Sequence, residues 1–311
     1  MRRPCRTVVP ALLAAALAAA AASPAGAQAA PAEPSYPARC GVGAPAADSS
    51  RYVPLPRGDV FCPLVADPKA VRSFVSYQSA RGGGFARHVA AVGIADQFAF
   101  FRFAGARAGD GLQLGVTAAV FAQFDLDASS FDLLNADYVL GLPLTYRRGG
   151  FSGRFRVYHQ SSHLGDEFLL RPTRPDRENL SFESAELLVS QDVGAVRGYA
   201  GGEYFLRRDP ADLPRSLAHA GVELRPPRAA RIGTIARARL IAAADVKVVR
   251  DSAWSPGVNV RAGVEVGRPR EGPVPGRRWS LLGEFYDGPS PYGQFHRDAV
   301  RLAGVGFHFT L

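Results

Sequence analysis

Ile235-Ala-Arg-Ala-Arg-Leu-Ile-Ala-Ala-Ala-Asp-Val-Lys-Val248 decides the fold. Its even positions, Ala236 to Val248, are all Ala, Leu or Val, while the odd ones include Arg237, Arg239, Asp245 and Lys247. A period of two held over this length is a strand with one apolar and one polar face. The rule repeats in Val258, Val260, Ala262, Val264 and Val266 against Asn259, Arg261, Gly263 and Glu265. It repeats again in Leu112, Leu114, Val116, Ala118, Val120 and Ala122 against Gln113, Gly115 and Thr117, and in Tyr138, Leu140, Leu142, Leu144 and Tyr146 against Asp137, Thr145 and Arg147. Strands of soluble domains run about 5 or 6 residues, whereas strands tilted across a bilayer need about 9 to 11. Most of these segments reach the spanning length.

Composition agrees. The 311 residues include 33 Gly and 24 Pro but one Met, with 47% hydrophobic and 21% charged residues. That balance suits strands joined by turns rather than helix bundles. No run after position 27 approaches the roughly 18 apolar residues of a spanning helix. The pattern places strands at 71–79, 89–103, 112–124, 136–147, 151–162, 180–193, 196–205, 217–224, 235–249, 257–266, 279–286 and 300–311. The expected fold is therefore all-β, a transmembrane antiparallel up-and-down β-barrel of about 12 strands, an even number as single-chain bacterial barrels have. Short connections at 148–150 and 194–195 contrast with long ones at 125–135, 163–179, 207–215 and 287–299. The long 268–277 breaks the alternation and leaves room for a missed or split strand. The first strand is the least regular, since Gly82-Gly83-Gly84 follows it. The last carries Ala303, Val305, Phe307, Phe309 and Leu311 on one face. It resembles the C-terminal signature by which bacterial outer-membrane barrels are recognised by their assembly machinery, with Leu where Phe or Trp is usual.

Residues 1–27 read as an export signal: Arg2, Arg3 and Arg6, an apolar run from Val8 to Ala22, then Ala25-Gly26-Ala27. Its removal lowers the formal charge from +9 by those three arginines. The expected location is the bacterial outer membrane. Of three cysteines Cys5 leaves with the signal, and Cys40 and Cys62 remain as a pair suited to a disulfide in an oxidising compartment; two unpaired thiols are the alternative. Residues 28–67, rich in Pro and Ala, fit a periplasmic lead or a plug, and 68–311 the barrel. The basic excess suits contact with anionic outer-membrane lipids and lipopolysaccharide. Nothing supports a nucleic-acid partner.

The polar faces carry Arg154, Arg156, Gln160, Glu203, Glu223, Arg237, Arg239, Asp245, Lys247, Asn259, Arg261, Glu265 and Glu284. Both signs in quantity describe either a lumen filled by paired charges or a narrow conducting pore. His219 and His308 share that parity, His219 with Glu223. Trp279, Tyr286, Tyr138 and Tyr146 lie at strand ends, where an aromatic girdle forms.

One strand breaks the apolar rule. After Phe155 and Val157 the lipid-facing series continues as His159, Ser161 and His163. On the next strand the same parity runs back from Ala185 through Glu183 and Ser181 to Asn179. A hairpin centred near Leu170 or Arg171 sets His159 opposite Glu183 and Ser161 opposite Ser181. Serine attacks an ester only when a base takes its proton, and that base needs a third group to fix its tautomer. His159-Gln160-Ser161-Ser162 resembles the His-x-Ser-Asn segment of outer membrane phospholipase A and the His-x-Ser segment of the lipid A deacylase, whose His and Ser face the bilayer from a barrel strand. Ser162 stands where the phospholipase has Asn.

The resemblance implies Ser161 as nucleophile, His159 as base and Glu183, or else Asn179, as the third member. It also implies calcium, for which Asp166 and Glu167 are the candidates, and a homodimer whose facing barrels form an acyl cleft. More broadly, Leu140-Gly-Leu-Pro-Leu-Thr-Tyr146, the stretch from His159 to Glu167 and Tyr286-Asp-Gly-Pro-Ser-Pro-Tyr-Gly-Gln-Phe295 resemble a family of bacterial envelope barrels of unknown function. The expectation is an outer-membrane barrel with a lipid acyl ester hydrolase site. The alternative is a non-enzymatic barrel, a narrow channel or structural envelope protein, with His159, Ser161 and His163 marking where head groups begin.

Overall fold

The computed structural model describes residues 51–83, 87–107, 109–172, 177–226, 229–233, 236–250, 255–267 and 278–309. Twelve long strands follow one another: β1 (Ser73–Gly82), β2 (His88–Ala104), β3 (Gly111–Asp125), β4 (Leu133–Arg148), β5 (Phe151–Leu164), β6 (Leu180–Val193), β7 (Val196–Asp209), β8 (Ser216–Leu224), β9 (Ala236–Val249), β10 (Pro256–Gly267), β11 (Arg278–Pro289) and β12 (Ala299–Phe309). Each pairs antiparallel with the next, and β12 returns to β1, so the sheet closes on itself. Closure removes every edge, as a bilayer demands of a backbone that has no water to bond. No helix among the described residues is long and apolar enough to cross a membrane.

Each strand lies within a few residues of its sequence-based position. β10 and β11 pair directly from Gly267 and Arg278 onward, and the long connection between them, where the sequence leaves room for a missed or split strand, lies outside the described residues. Two-residue turns at 149–150 and 194–195 open with Gly149 and Gly194 at φ +60° and +57°, values that favour glycine. The outward series of β4, Tyr138 to Tyr146, is exposed, while Asp137, Thr145 and Arg147 are buried. Leu240, 69% exposed on β9, typifies the apolar exterior, which a soluble monomer would not carry as a continuous band. Trp279, Tyr138 and Tyr146 are outward, but Tyr286 is a correction: its parity turns it inward, where its hydroxyl bonds the carbonyl of Pro289.

The lumen is filled, and largely by the chain's own lead. Tyr52–Pro54 pairs with the end of β2, and the chain then turns inward. Val60, Phe61, Leu64, Val65 and Ala66 are fully buried. Arg102 donates to the carbonyl of Gly58 (2.8 Å), Arg197 to that of Cys62 (3.0 Å), Arg261 to that of Val65 (3.0 Å) and Asn259 to that of Ala66 (2.5 Å). Lys247 pairs with Asp67 at 2.8 Å. These partners stand on β2, β7, β9 and β10, so the segment runs inside the cylinder. Cys62 is buried there; Cys40 and the export signal lie outside the described residues.

The other end is capped by residues 290–298, which fold into the mouth and bury Tyr292 and Phe295. Gly293 N donates to the Asp137 carboxylate (3.2 Å) and Gln294 N to Asn135 Oδ1 and Ser162 Oγ (3.1 Å each), which ties β11 and β12 to β4 and β5 across the opening. Gly293 is required by that approach, because a Cβ there would stand 2.6 Å from Ser162 Cβ.

Candidate active site on the outer face

β5 and β6 build the site. Their register sets His159 opposite Glu183 and Ser161 opposite Ser181, the pairing expected from the hairpin. Partners in register share a face, and this face is outward, between the apolar band of Val157, Phe155 and Leu187 and the loops. His159 Nδ1 lies 3.0 Å from Glu183 Oε1, with the two side chains 46% and 35% exposed. With Nδ1–H donated to the carboxylate, Nε2 is left as the proton acceptor. Ser161 stands two residues along the same face, and no hydrogen bond joins it to His159 among the described residues. Catalytic hydrogen bonds often tighten only once substrate is bound.

The neighbouring serine is a different object. Ser162 is inward and buried, bonded to Asp137 and 2.9 Å from Asn135 Oδ1 beneath the cap. Asn179 is exposed and donates to Asp209 at 2.6 Å. Asp166 and Glu167 are exposed in the first turn of the short helix α1 (Asp166–Leu169). The structure therefore pairs His159 with Glu183, sets Ser161 two residues along the same face, and keeps Asn179, Asp166 and Glu167 in other company. On the far side of Glu183 the register brings Arg207 of β7, exposed and turned outward by a bulge in that pairing. Sequence reading missed it, because a bulge shifts the parity without any mark in the residue pattern.

The described residues hold one group of three potential metal ligands, Asp67, His219 and Asp245, all buried in the lumen. Its members already have partners: Lys247 pairs with Asp67, and His219 Nε2 lies 2.6 Å from Asp245. His219 thus joins the lumen network as expected, with Asp245 rather than Glu223 as its partner. His308 pairs with Glu284 at 2.6 Å.

A closed cylinder of antiparallel strands with a greasy exterior and charged interior defines an outer-membrane β-barrel. The chain belongs to the family described as protein of unknown function DUF1207, whose profile matches residues 7–311. No curated protein matches the sequence. Among solved structures, outer membrane phospholipase A from Escherichia coli is similar at TM-score 0.52 and 12% identity, over 78% of this chain and 93% of that one. The outer membrane phospholipase dimer of Salmonella typhi with bound calcium is similar to the same degree: TM-score 0.52, 12% identity, 78% and 93% covered. At this identity the likeness establishes the fold.

Proposed function

We propose that the protein is an outer-membrane lipid acyl ester hydrolase working from its outer face. The observation that carries this reading is the His159–Glu183 pair, 3.0 Å apart at the edge of the apolar band formed by Val157, Phe155 and Leu187, with Ser161 two residues along the same strand face. An imidazole and a carboxylate at the edge of an apolar band are costly ornaments for a purely structural wall. Ser161 Oγ attacks the ester carbonyl while His159 Nε2 takes its proton; the proton then passes to the leaving alcohol, and water releases the acyl group by the reverse sequence. Glu183 holds the tautomer and offsets the imidazolium. Arg207, beside Glu183, gives an anionic head group a cation to meet. Acyl chains lie along Val157, Phe155 and Leu187.

The reading extends to a homodimer, two patches facing each other, with calcium held near Asp166 and Glu167, as the Salmonella typhi protein is a dimer with bound calcium. A filled lumen speaks against a standing pore, the competing reading. Purified protein in phospholipid vesicles is expected to release fatty acid in calcium, and its Ser161→Ala variant is expected not to. Equal release from both, or none from either, removes the hydrolase.

A further inference from the structure

We infer that the barrel is a pore closed by two segments of its own chain, a plug of residues 57–72 and a cap of residues 290–298, which can leave without dismantling the wall. The outer-face site plays no part in this inference.

The first ground is the direction of the wall's own ion pairs. Arg154 and Arg156 pair with Glu186 at 2.7 and 2.8 Å, Arg197 with Glu223 at 3.5 Å, His219 with Asp245 at 2.6 Å, Arg239 with Glu265 at 3.7 Å and Arg261 with Glu284 at 2.9 Å. Each joins adjacent strands and runs round the circumference. Among the described residues the ion pair between strand side chains that skips a strand is Arg147 with Asp192, from β4 past β5 to β6. A barrel filled by its wall would interdigitate across the centre; here the centre belongs to the plug. Withdrawal leaves these charges paired with one another; of the wall's ion pairs among the described residues only Lys247 with Asp67 and Asp137 with Lys69 depend on the plug, and those two carry the penalty of an orphaned charge.

The second ground is how the plug is held. Between its entry near position 55 and the start of β1 it forms no strand ladder with the wall. Its carbonyls at Gly58, Cys62, Val65 and Ala66 accept from wall arginines and an asparagine, contacts that water can replace. Its side chains latch it to the wall: Phe61, its ring 4.9 Å from the Arg154 guanidinium and 4.7 Å from that of Arg197, Asp59, which accepts from Thr145 at 3.0 Å, and Asp67 on Lys247. The third ground is the junction. Lys69 of the plug bonds Asp137, which also receives the Gly293 amide of the cap, and its ammonium lies 4.3 Å over the Tyr292 ring. Loss of the plug thus removes a support of the cap.

Planar-bilayer recording on full-length protein tests this with plug variant Phe61→Ala/Asp67→Ala, cap variant Tyr292→Gly/Phe295→Gly, and the four substitutions combined. Barrel integrity is read separately as heat-modifiable migration on a gel. Wild type is expected to stay closed, and the combined variant to remain folded and show stepwise conductance at least tenfold above the wild-type trace. A folded combined variant that stays closed overturns the proposal, as does wild type that conducts freely. Collapse of the barrel in the combined variant also overturns it, since plug and cap would then be core.

Discussion

Ser161 and Ser162 are neighbours with the same hydroxyl and opposite surroundings. Ser161 faces outward in the patch with His159, while Ser162 is sealed under the cap. Ser162→Ala is expected to keep fatty-acid release while lowering unfolding stability by about 1–3 kcal/mol, the cost of the unsatisfied groups left behind; urea titration in detergent checks it. Glu183→Gln is expected to keep the fold and lower kcat by roughly a hundredfold to ten-thousandfold, as when an orienting carboxylate is neutralised. Unchanged kcat would remove Glu183 from the site. The outward residues were legible because parity alone assigns a face, and a symmetric hairpin fixes the register. Ser162's partners were not, since Gly293 and Gln294 lie some 130 positions away and only ring closure brings them over the mouth.

Strands were legible because lipid on one side and a charged lumen on the other force a strict period of two. β4 shows the energetic side of that rule. Leu142, 56% exposed at the middle of its outward face, meets hydrocarbon, and Leu142→Arg is expected to cost about 2–4 kcal/mol, against about 0–1 for His163→Arg near the rim. Reversible unfolding in phospholipid vesicles measures both, and equal costs would contradict the assigned depth. Plug and cap left no such mark. Each is an irregular segment whose placement follows from wall groups far off in sequence, so composition could name residues 28–67 a lead or a plug without choosing. Tyr286 was misplaced for the opposite reason, since proximity to a strand end outweighed its parity.

At the scale of the molecule, twelve strands close a cylinder whose lumen is occupied from both ends, while the polar patch of His159, Ser161 and Glu183 lies outside on β5 and β6. The lead that enters the lumen carries Cys62, and a Cys40–Cys62 disulfide is proposed to restrain it. Alkylation of the secreted, unreduced protein should leave both thiols unlabelled; labelling of both would contradict the pair. An acyl-chain organophosphonate that reacts only with activated serines bears most directly on the central claim. On purified barrel in calcium, peptide mass mapping should find one adduct, on Ser161, and none on a His159→Ala variant. Absence of any adduct, or an adduct that persists without His159, would contradict an activated nucleophile on the outer face.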